Sequence, residues 1–558
     1  TLVINDNGGK ITNGGEITNG GVIIALSGTG TAGQIEDNGG TFTNNSLSLV
    51  KASNNFTFTG DQTLNSHFTI ASGQTLTIGS TQELIIAGSK TLTNEGIIIK
   101  NSGGTLTTTG TLTNTSGLVL DKATNDFSLN TTLGTTSQTL NNNFTIASSE
   151  TLIIDSGETL TIAASKTLTI TSGETLTIAS TGTLTSTAGI VDNDGTISCS
   201  GTITSGSNFT GSSGLVSFAS VANYDASVAS GQLGTTLGGN RTIANYMGAG
   251  TTKVIMSADD LTTAAHTLTI SANVTLEVAS GRTLTIASTG TLTSTAGTLD
   301  NDGIISCSGT ITTSSNFTGT SSGLVEFASV ANYDASVASG QLGTTLGGNR
   351  TIANYMGAGT TKVIMSADDL TTAAHTLTIS ANVTLEVASG RTLTIAGAIT
   401  KTASGATITG AGNVIFSSIA AYDATSDNSD IGSAIASDRT LSKYNTSGTT
   451  KVIIASGEAL TINATKTLTI ASGVTLQVAS GRTLTIASTG TLTSTAGIVE
   501  NDGTIACSDT ITSGSNFTGS SGLVEFTSVA AYDASVESGD RLGTTLGGNR
   551  TIANYMGV

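Results

Sequence analysis

Residues 151–184 read TLIIDSGETLTIAASKTLTITSGETLTIASTGTL, a stretch that divides into units of eight. Leu152, Leu160, Leu168, Leu176 and Leu184 fall eight apart, as do Ile154, Ile162, Ile170 and Ile178. Within T-L-T-I the apolar residues alternate with Thr, so a strand buries Leu and Ile on one face and shows Thr on the other. Thr, Ile and Val suit such a pleated surface. The A-S-G-x or A-S-T-G that follows reads as a corner, because Gly supplies the positive φ of a tight turn. Eight is even, so the in/out parity survives every repeat.

The same beat returns at Leu268, Leu276, Leu284 and Leu292, at Leu377, Leu385 and Leu393, and from Leu460 to Leu492. It begins earlier, with Phe68, Leu76, Leu84 and Leu92. A unit this short cannot bury its own apolar face and must stack on copies of itself. The expected fold is all-β: an elongated parallel β-solenoid, with three faces and about 24 residues per coil preferred over two faces and about 16, since a triangular coil leaves room inside for layers of Leu and Ile. Roughly 23 such coils at the interstrand spacing would make a rod on the order of 110 Å long.

The composition agrees. The 558-residue chain exceeds one compact core, a limit that a solenoid escapes by growing along one axis. It has no Pro, which would remove a ladder donor from a central strand. Charged residues are 10% of the chain, but a fixed apolar period argues against disorder. The net charge of −18 disfavours nucleic acid and anionic membrane surfaces, and no apolar run is long enough to span a bilayer as a helix. A chain opening on Thr1 rather than Met fits removal of an export leader.

A longer repeat overlies the short one. Residues 219–287 recur as 328–396, and T-I-A-N-Y-M stands at Thr242, Thr351 and Thr551, with T-L-S-K-Y-N at Thr440. The organisation expected is irregular coils over 1–140, then modules over 141–250, 251–359, 360–448 (shortened) and 449–558. V-A-N-Y-D-A-S-V-A-S, from Val221 to Ser230, is the one stretch that suits a helical turn. The chain ends N-Y-M-G-V and begins T-L-V-I-N-D; joined, they approximate the internal N-Y-M-G-A-G-T-T-K-V-I. That suggests head-to-tail stacking through Thr1, Leu2, Val3, Ile4, Tyr555, Met556, Gly557 and Val558. The rival reading is a piece of a longer protein cut in mid-repeat.

The T-L-T-I-A-S-G phrases, with G-L-V-E-F and N-Y-M-G-x-G-T-T-K-V-I between them, resemble the repeat regions of secreted bacterial β-solenoid surface proteins. These include adhesin stalks and filamentous-haemagglutinin-like β-helices. The likeness covers residues 60–558. It implies a right-handed β-helix, export to the cell surface, and a role in adhesion or fibres. No secretion signal or anchoring domain of that family is visible in the sequence.

Little in the chain suggests chemistry. Cys199, Cys307 and Cys507 occupy equivalent I-x-C-S phrases and read as small buried residues; an odd count argues against an intramolecular disulfide framework and leaves a bond between neighbouring chains as the alternative. His67, His266 and His375 lack partners at ligand spacing, and Glu458 is read as the third-module counterpart of the last two. Asp192, Asp194, Asp300, Asp302, Glu500 and Asp502, in V-D-N-D-G-T and its variants, read as Asn/Asp/Gly corners, with calcium as the alternative ligand. Arg241, Arg350 and Arg550 are expected to form ion pairs with Asp225, Asp334 and Asp533. The repeated tyrosines are assigned to the flank of the core.

No catalytic residue and no organic cofactor is expected, and an enzyme is disfavoured. The leading expectation is a structural subunit of an extracellular fibre or cell-surface filament, its partner being itself in a head-to-tail homopolymer. The alternative is the stalk of a surface adhesin, with cell-surface or carbohydrate ligands. Ice binding by outward Thr-x-Thr rows ranks third.

Overall fold

The computed structural model describes the backbone of short strands between residues 2 and 58, and backbone and side chains between 61 and 555. Outside that description within the second range fall residues 65–66, 71, 115–116, 131–136, 205, 295, 313–315, 403, 426–429, 495, 513, 547 and 553, and the side chain of residue 62. The fold is nearly all-β: parallel coils of a β-solenoid, about 20 turns in all, with 6% helix. The chain forms two compact units. One holds Thr1–Leu261, Leu268–Arg282 and Ser294–Leu299; the other holds Thr262–Thr267, Thr283–Thr293 and Asp300–Val558.

In the first unit the regular coil follows directly from the repeat. Thr151–Ile154, Thr159–Ile162 and Thr167–Ile170 form three successive strands. Thr175–Ile178 then returns to lie parallel on the first, with Leu152 opposite Leu176 and Ile154 opposite Ile178. Each Leu and Ile of these strands is essentially buried, while the intervening Thr is half-exposed. Each buried side chain of this kind contributes about 1.5–3 kcal/mol. Corners close by a backbone hydrogen bond, as from Glu158 N to Asp155 O and from Lys166 N to Ala163 O (both 3.1 Å).

Coil length varies on both sides of the expected 24 residues, short coils raising the number of turns and the inserts lowering it. Where corners shrink to two residues, as at Asp194-Gly195 and Ser200-Gly201, Thr183 and Thr202 on stacked strands are only 19 residues apart. Where a helix and loop are inserted, stacked residues such as Asn413 and Thr449 lie 36 apart. The helical turn expected near Val221 is a helix, α1 (Val221–Ser227), repeated as α2 (Val330–Ser336), α3 (Ile419–Asp423) and α4 (Val529–Ser535).

The first unit also contains a feature that the repeat does not foretell. Leu118–Ala123 pairs in parallel with Ile97–Asn101 on one side and antiparallel with Asp126–Leu129 on the other. Ile98 and Val119 face a core that extends back to Leu64 and Phe68. Leu120 stands opposite Leu129, in the register that continues through Phe127 to Leu152 on the other side of the same sheet. The strand is therefore buried on both faces, and the core changes sides across it. That is why Leu118, Val119 and Leu120 form a continuous apolar run instead of alternating.

In the second unit the inserts step around the coil. Leu324–Phe327, which precedes α2, lies in one sheet; Asn413–Phe416, which precedes α3, lies in a second; Leu523–Phe526, which precedes α4, lies in a third. Each module advances the phrase by one face beyond a whole number of coils. The three inserts thus interrupt three different faces.

Two corner positions separate backbone strain from steric fit. Ser165 takes φ 60° where the preceding and following corners place Gly157 and Gly173. Ser165→Gly is expected to raise the urea midpoint by up to about 1 kcal/mol of stability, since glycine removes the left-handed penalty. At Gly201 a Cβ would lie 2.2 Å from the Gly182 carbonyl oxygen of the coil below, so Gly201→Ala should lower stability by about 1–3 kcal/mol. Equal midpoints for the two variants would contradict this account.

Candidate functional site

The repeated, non-solenoid part of each module is the helix with its following loop. Ser220 caps α1, its hydroxyl accepting from Asn223 N at 3.1 Å, and Ser329, Ser418 and Ser528 do the same for the other helices. Asn223 donates from Nδ2 to the carbonyls of Ser200 (2.7 Å) and Gly201 (3.1 Å), so the helix sits on the two-residue corner of the coil below. Ser227 Oγ accepts from Ile203 N at 2.9 Å, covering the ladder where the strand Thr202–Ile203 stops.

The tyrosines close the side of the core, as the sequence suggests. Tyr224 and Tyr333 are buried and stack edge-on against Phe218 and Phe327 at 5.5 and 5.4 Å. Tyr246 donates its hydroxyl to Ser227 O at 3.0 Å and packs on Phe209 and Phe218. Burial pushes the phenols of Tyr224, Tyr246, Tyr333 and Tyr355 above their ordinary range.

The expected Asp–Arg ion pairs do not form. Asp225 accepts through its two oxygens from Leu233 N and Gly234 N (both 2.7 Å), while Arg241 Nε donates to Gln232 O at 2.8 Å. Gln232 O and Leu233 N are the two ends of one peptide group. The acid and the base therefore grip a loop peptide between them rather than each other. Asp334 and Arg350 repeat this on the Gln341–Leu342 peptide, and Asp423 and Arg439 on the Asp430–Ile431 peptide. In the last module Asp533 holds Leu542 N and Gly543 N, while Arg550 reaches Gly539 O at 2.9 Å, the loop being one residue longer. A loop without ladder partners still has to satisfy its peptides, and charged side chains do so strongly.

The acidic N-D-G phrases also differ from expectation. Asp192, Asp300 and Glu500 are not corner residues: they lie on the strands Ile190–Asn193, Thr298–Asn301 and Ile498–Asn501. Asp194, Asp302 and Asp502 do stand in corners. Asp192 accepts from Thr210 Oγ1 at 2.8 Å and Asp300 from Thr318 Oγ1 at 3.0 Å. Glu500 pairs with Lys451 at 2.7 Å. Asp194 accepts from Ser212 N (2.7 Å), Ser212 Oγ and Ser213 N, and Asp302 accepts from Thr320 N at 2.7 Å. Among the described residues, no three His, Cys, Asp or Glu side chains converge to hold a metal ion.

The residue that the sequence reading overlooks in this phrase is its asparagine. Asn193, Asn301 and Asn501 point into the core and are fully buried. Asn301 Nδ2 donates to Leu324 O of the next coil at 3.0 Å, and its Oδ1 accepts from Gly303 N at 3.2 Å. Its amide also lies 3.2 Å from Met356 Sδ. The inward parity of T-L-T-I, carried into I-V-D-N, places Asn where Ile would stand. That signal was present in the spacing.

Cys199, Cys307 and Cys507 are free and buried, and burial pushes their thiols up to about 12, 11 and 11. His67 Nδ1 accepts from Thr91 N at 3.1 Å. The counterpart of His266 is Lys466 rather than Glu458: their carbonyls accept from Thr291 N and Thr491 N at equivalent ladder positions. Glu458 instead receives Ile419 N and Ala420 N at the start of α3. Of the residues proposed for assembly, Thr1, Met556, Gly557 and Val558 lie outside the described residues. Leu2–Ile4 is a strand on Ile23–Ala25, and Tyr555 packs on Phe526 at 5.3 Å. No helix among the described residues is long and apolar enough to cross a membrane.

The Ser212 amide, then its hydroxyl, hold Asp194 below the ordinary carboxylate range; the Ser520 amide and then Gln477 do so for Asp502. A lowered folded-state value contributes stability above the unfolded value, which is lost as pH falls through the folded one. The thermal midpoint should therefore drop as pH falls below about 4, and Asp502→Asn should flatten that drop. An unchanged pH profile in the variant would contradict the assignment. A thiol reagent at neutral pH should label no cysteine in the native chain and all three in denaturant; rapid native labelling would show the cores to be open.

No protein-family model matches this chain, and no curated protein matches it.

Proposed function

We propose that this chain is a structural subunit of an extracellular fibre or cell-surface filament, built by head-to-tail stacking of β-solenoid coils. The observation that carries the reading is that a regular coil is completed by the next one in parallel register, as Leu324–Phe327 is by Thr360–Met365. A ladder edge of this kind recruits strands, and a heterologous contact that does not close generates a filament. The strand Leu2–Ile4 has a parallel partner on one side among the described residues, and is the segment proposed to meet that edge.

The mechanism is mechanical. Backbone ladders between coils resist pulling, and half-exposed Thr keeps the flanks wet. Ice binding is less well supported. Threonine hydroxyls bond to each other along the columns, Thr293 with Thr312 and Thr384 with Thr407 (both 2.9 Å), and the inserts break each face of the second unit.

Electron microscopy of the purified chain tests the proposal. Long fibres with an axial repeat of one subunit are the expected result. Isolated particles at every concentration would overturn it and favour the adhesin-stalk reading.

A further inference from the structure

Within the first unit, neighbouring regular coils are joined by three parallel ladders. Thr151–Ile154 pairs with Thr175–Ile178, Thr159–Ile162 with Thr183–Thr185, and Thr167–Ile170 with Ile190–Asn193. The hairpin made by Leu118–Ala123 and Asp126–Leu129 breaks this rule. Among the described residues, Thr105–Thr108 ends the sheet that holds Glu83–Ile86, and Thr111–Asn114 ends the sheet that holds Thr91–Asn94. Ser137–Leu140 and Phe144–Ile146 begin two new sheets. One sheet runs through, and it crosses by the antiparallel pairs from Leu120 with Leu129 to Ala123 with Asp126.

The core is divided at the same place. The apolar cluster that includes Leu64 and Phe68 reaches Leu106, Leu112 and Val119 but does not include Leu120, Phe127 or Leu129. The insert at α1 is different. Two sheets also end there, at Thr202–Ile203 and Asn208–Thr210, but buried Phe218, Tyr224, Leu233, Leu237 and Met247 carry the core through.

Polar groups do much of the joining across the seam. Buried Gln138 accepts from Val119 N at 2.8 Å, and its Nε2 lies 3.4 Å from the carbonyls of Val119 and Asn130. Buried Asn142 accepts through Oδ1 from Gly73 N and from Ser72 Oγ, and donates to Glu95 O at 3.3 Å. Asp121 binds Lys100 on one side and Asn130 on the other, both at 2.8 Å. The apolar share is the outward side of Ile97, Leu118 and Leu120. Amides that part can bond to water instead, so such contacts align two surfaces more than they weld them.

We infer that this seam is a hinge, at which the coils up to Leu118–Ala123 part from the coils that follow Asp126–Leu129 while both stay folded. One antiparallel ladder, three apolar side chains and these polar contacts hold the seam. A regular coil boundary is held by three ladders and the inward Leu and Ile of three strands. The seam is therefore the place that opens first under load, and it recloses because the partners on each side remain in place. The hinge goes beyond the fibre reading and does not rest on it.

Hydrogen exchange of the full 558-residue chain, read by mass spectrometry, tests the hinge. Residues 119–130 should exchange about tenfold or more faster than Glu83–Ile86 and Thr159–Ile162 on either side. Ser72→Cys with Asn141→Cys puts two thiols across the seam, where Ser72 Oγ lies 3.2 Å from Asn141 O. Closing that pair with oxidised glutathione should slow exchange at 119–130 to the rate of the flanking strands, and reduction should restore it. Gln138→Ala needs no cross-link and should speed exchange at 119–130 while leaving the flanking strands unchanged. Equal protection of the seam and its flanks would overturn the hinge. So would fast exchange that the closed cross-link does not slow, since that belongs to a fraying hairpin. Equally fast exchange at Phe68–Ile70, Glu83–Ile86 and Thr105–Thr108 would also overturn it, by showing that these coils unfold instead of parting.

Discussion

The structure depends on the parallel backbone ladder between coils. Each strand of T-L-T-I closes its ladder hydrogen bonds with the coil before and the coil after, and the burial of its Leu and Ile is completed by those same neighbours. A coil alone has no ladder and only part of that burial. Each coil is therefore both a product of its predecessor and a template for its successor.

That constraint explains where charge and polarity appear. At an inward position the ladder can use a polar group, as with Asn301, which bridges its own corner to the next coil. Outward positions stack Lys on Glu at the interstrand spacing, as at Glu326, Lys362 and Glu386. Loops without a ladder take charged grips instead, which is what Asp334 and Arg350 provide for one peptide of the insert.

The inserts give the coils their departures from uniformity. A helix capped by serine, and in α1 and α2 also seated through asparagine on a two-residue corner, replaces a strand on one face. Because each module advances by one face, no face of the second unit remains an uninterrupted array. A fibre made from such coils would present its helices in several directions rather than along one edge. Lateral contacts would then be spread around the coils, while axial contacts repeat.

The eight-residue spacing of Leu and Ile by itself determined the strands, their inward face and their stacking on copies of themselves, because a period-two pattern with even repeats keeps one face apolar throughout; two strands per coil fit that spacing as well as three, and the pairing of Thr175–Ile178 with Thr151–Ile154 decided for three. The sequence also placed the cysteines and tyrosines in or beside the core. Tertiary structure alone decided what lies between those anchors. Asp225 and Arg241 look like a pair in sequence, but the loop's unsatisfied peptide reaches them first. Asp192 looks like a corner residue, but the shortened coil pulls it onto a strand. The apolar run of Leu118, Val119 and Leu120 shows that a strand is buried on both faces, but only its antiparallel pairing with Asp126–Leu129 shows that the core changes sides there. Local spacing fixes which way a side chain points; which neighbour arrives to meet it depends on contacts dozens of residues away.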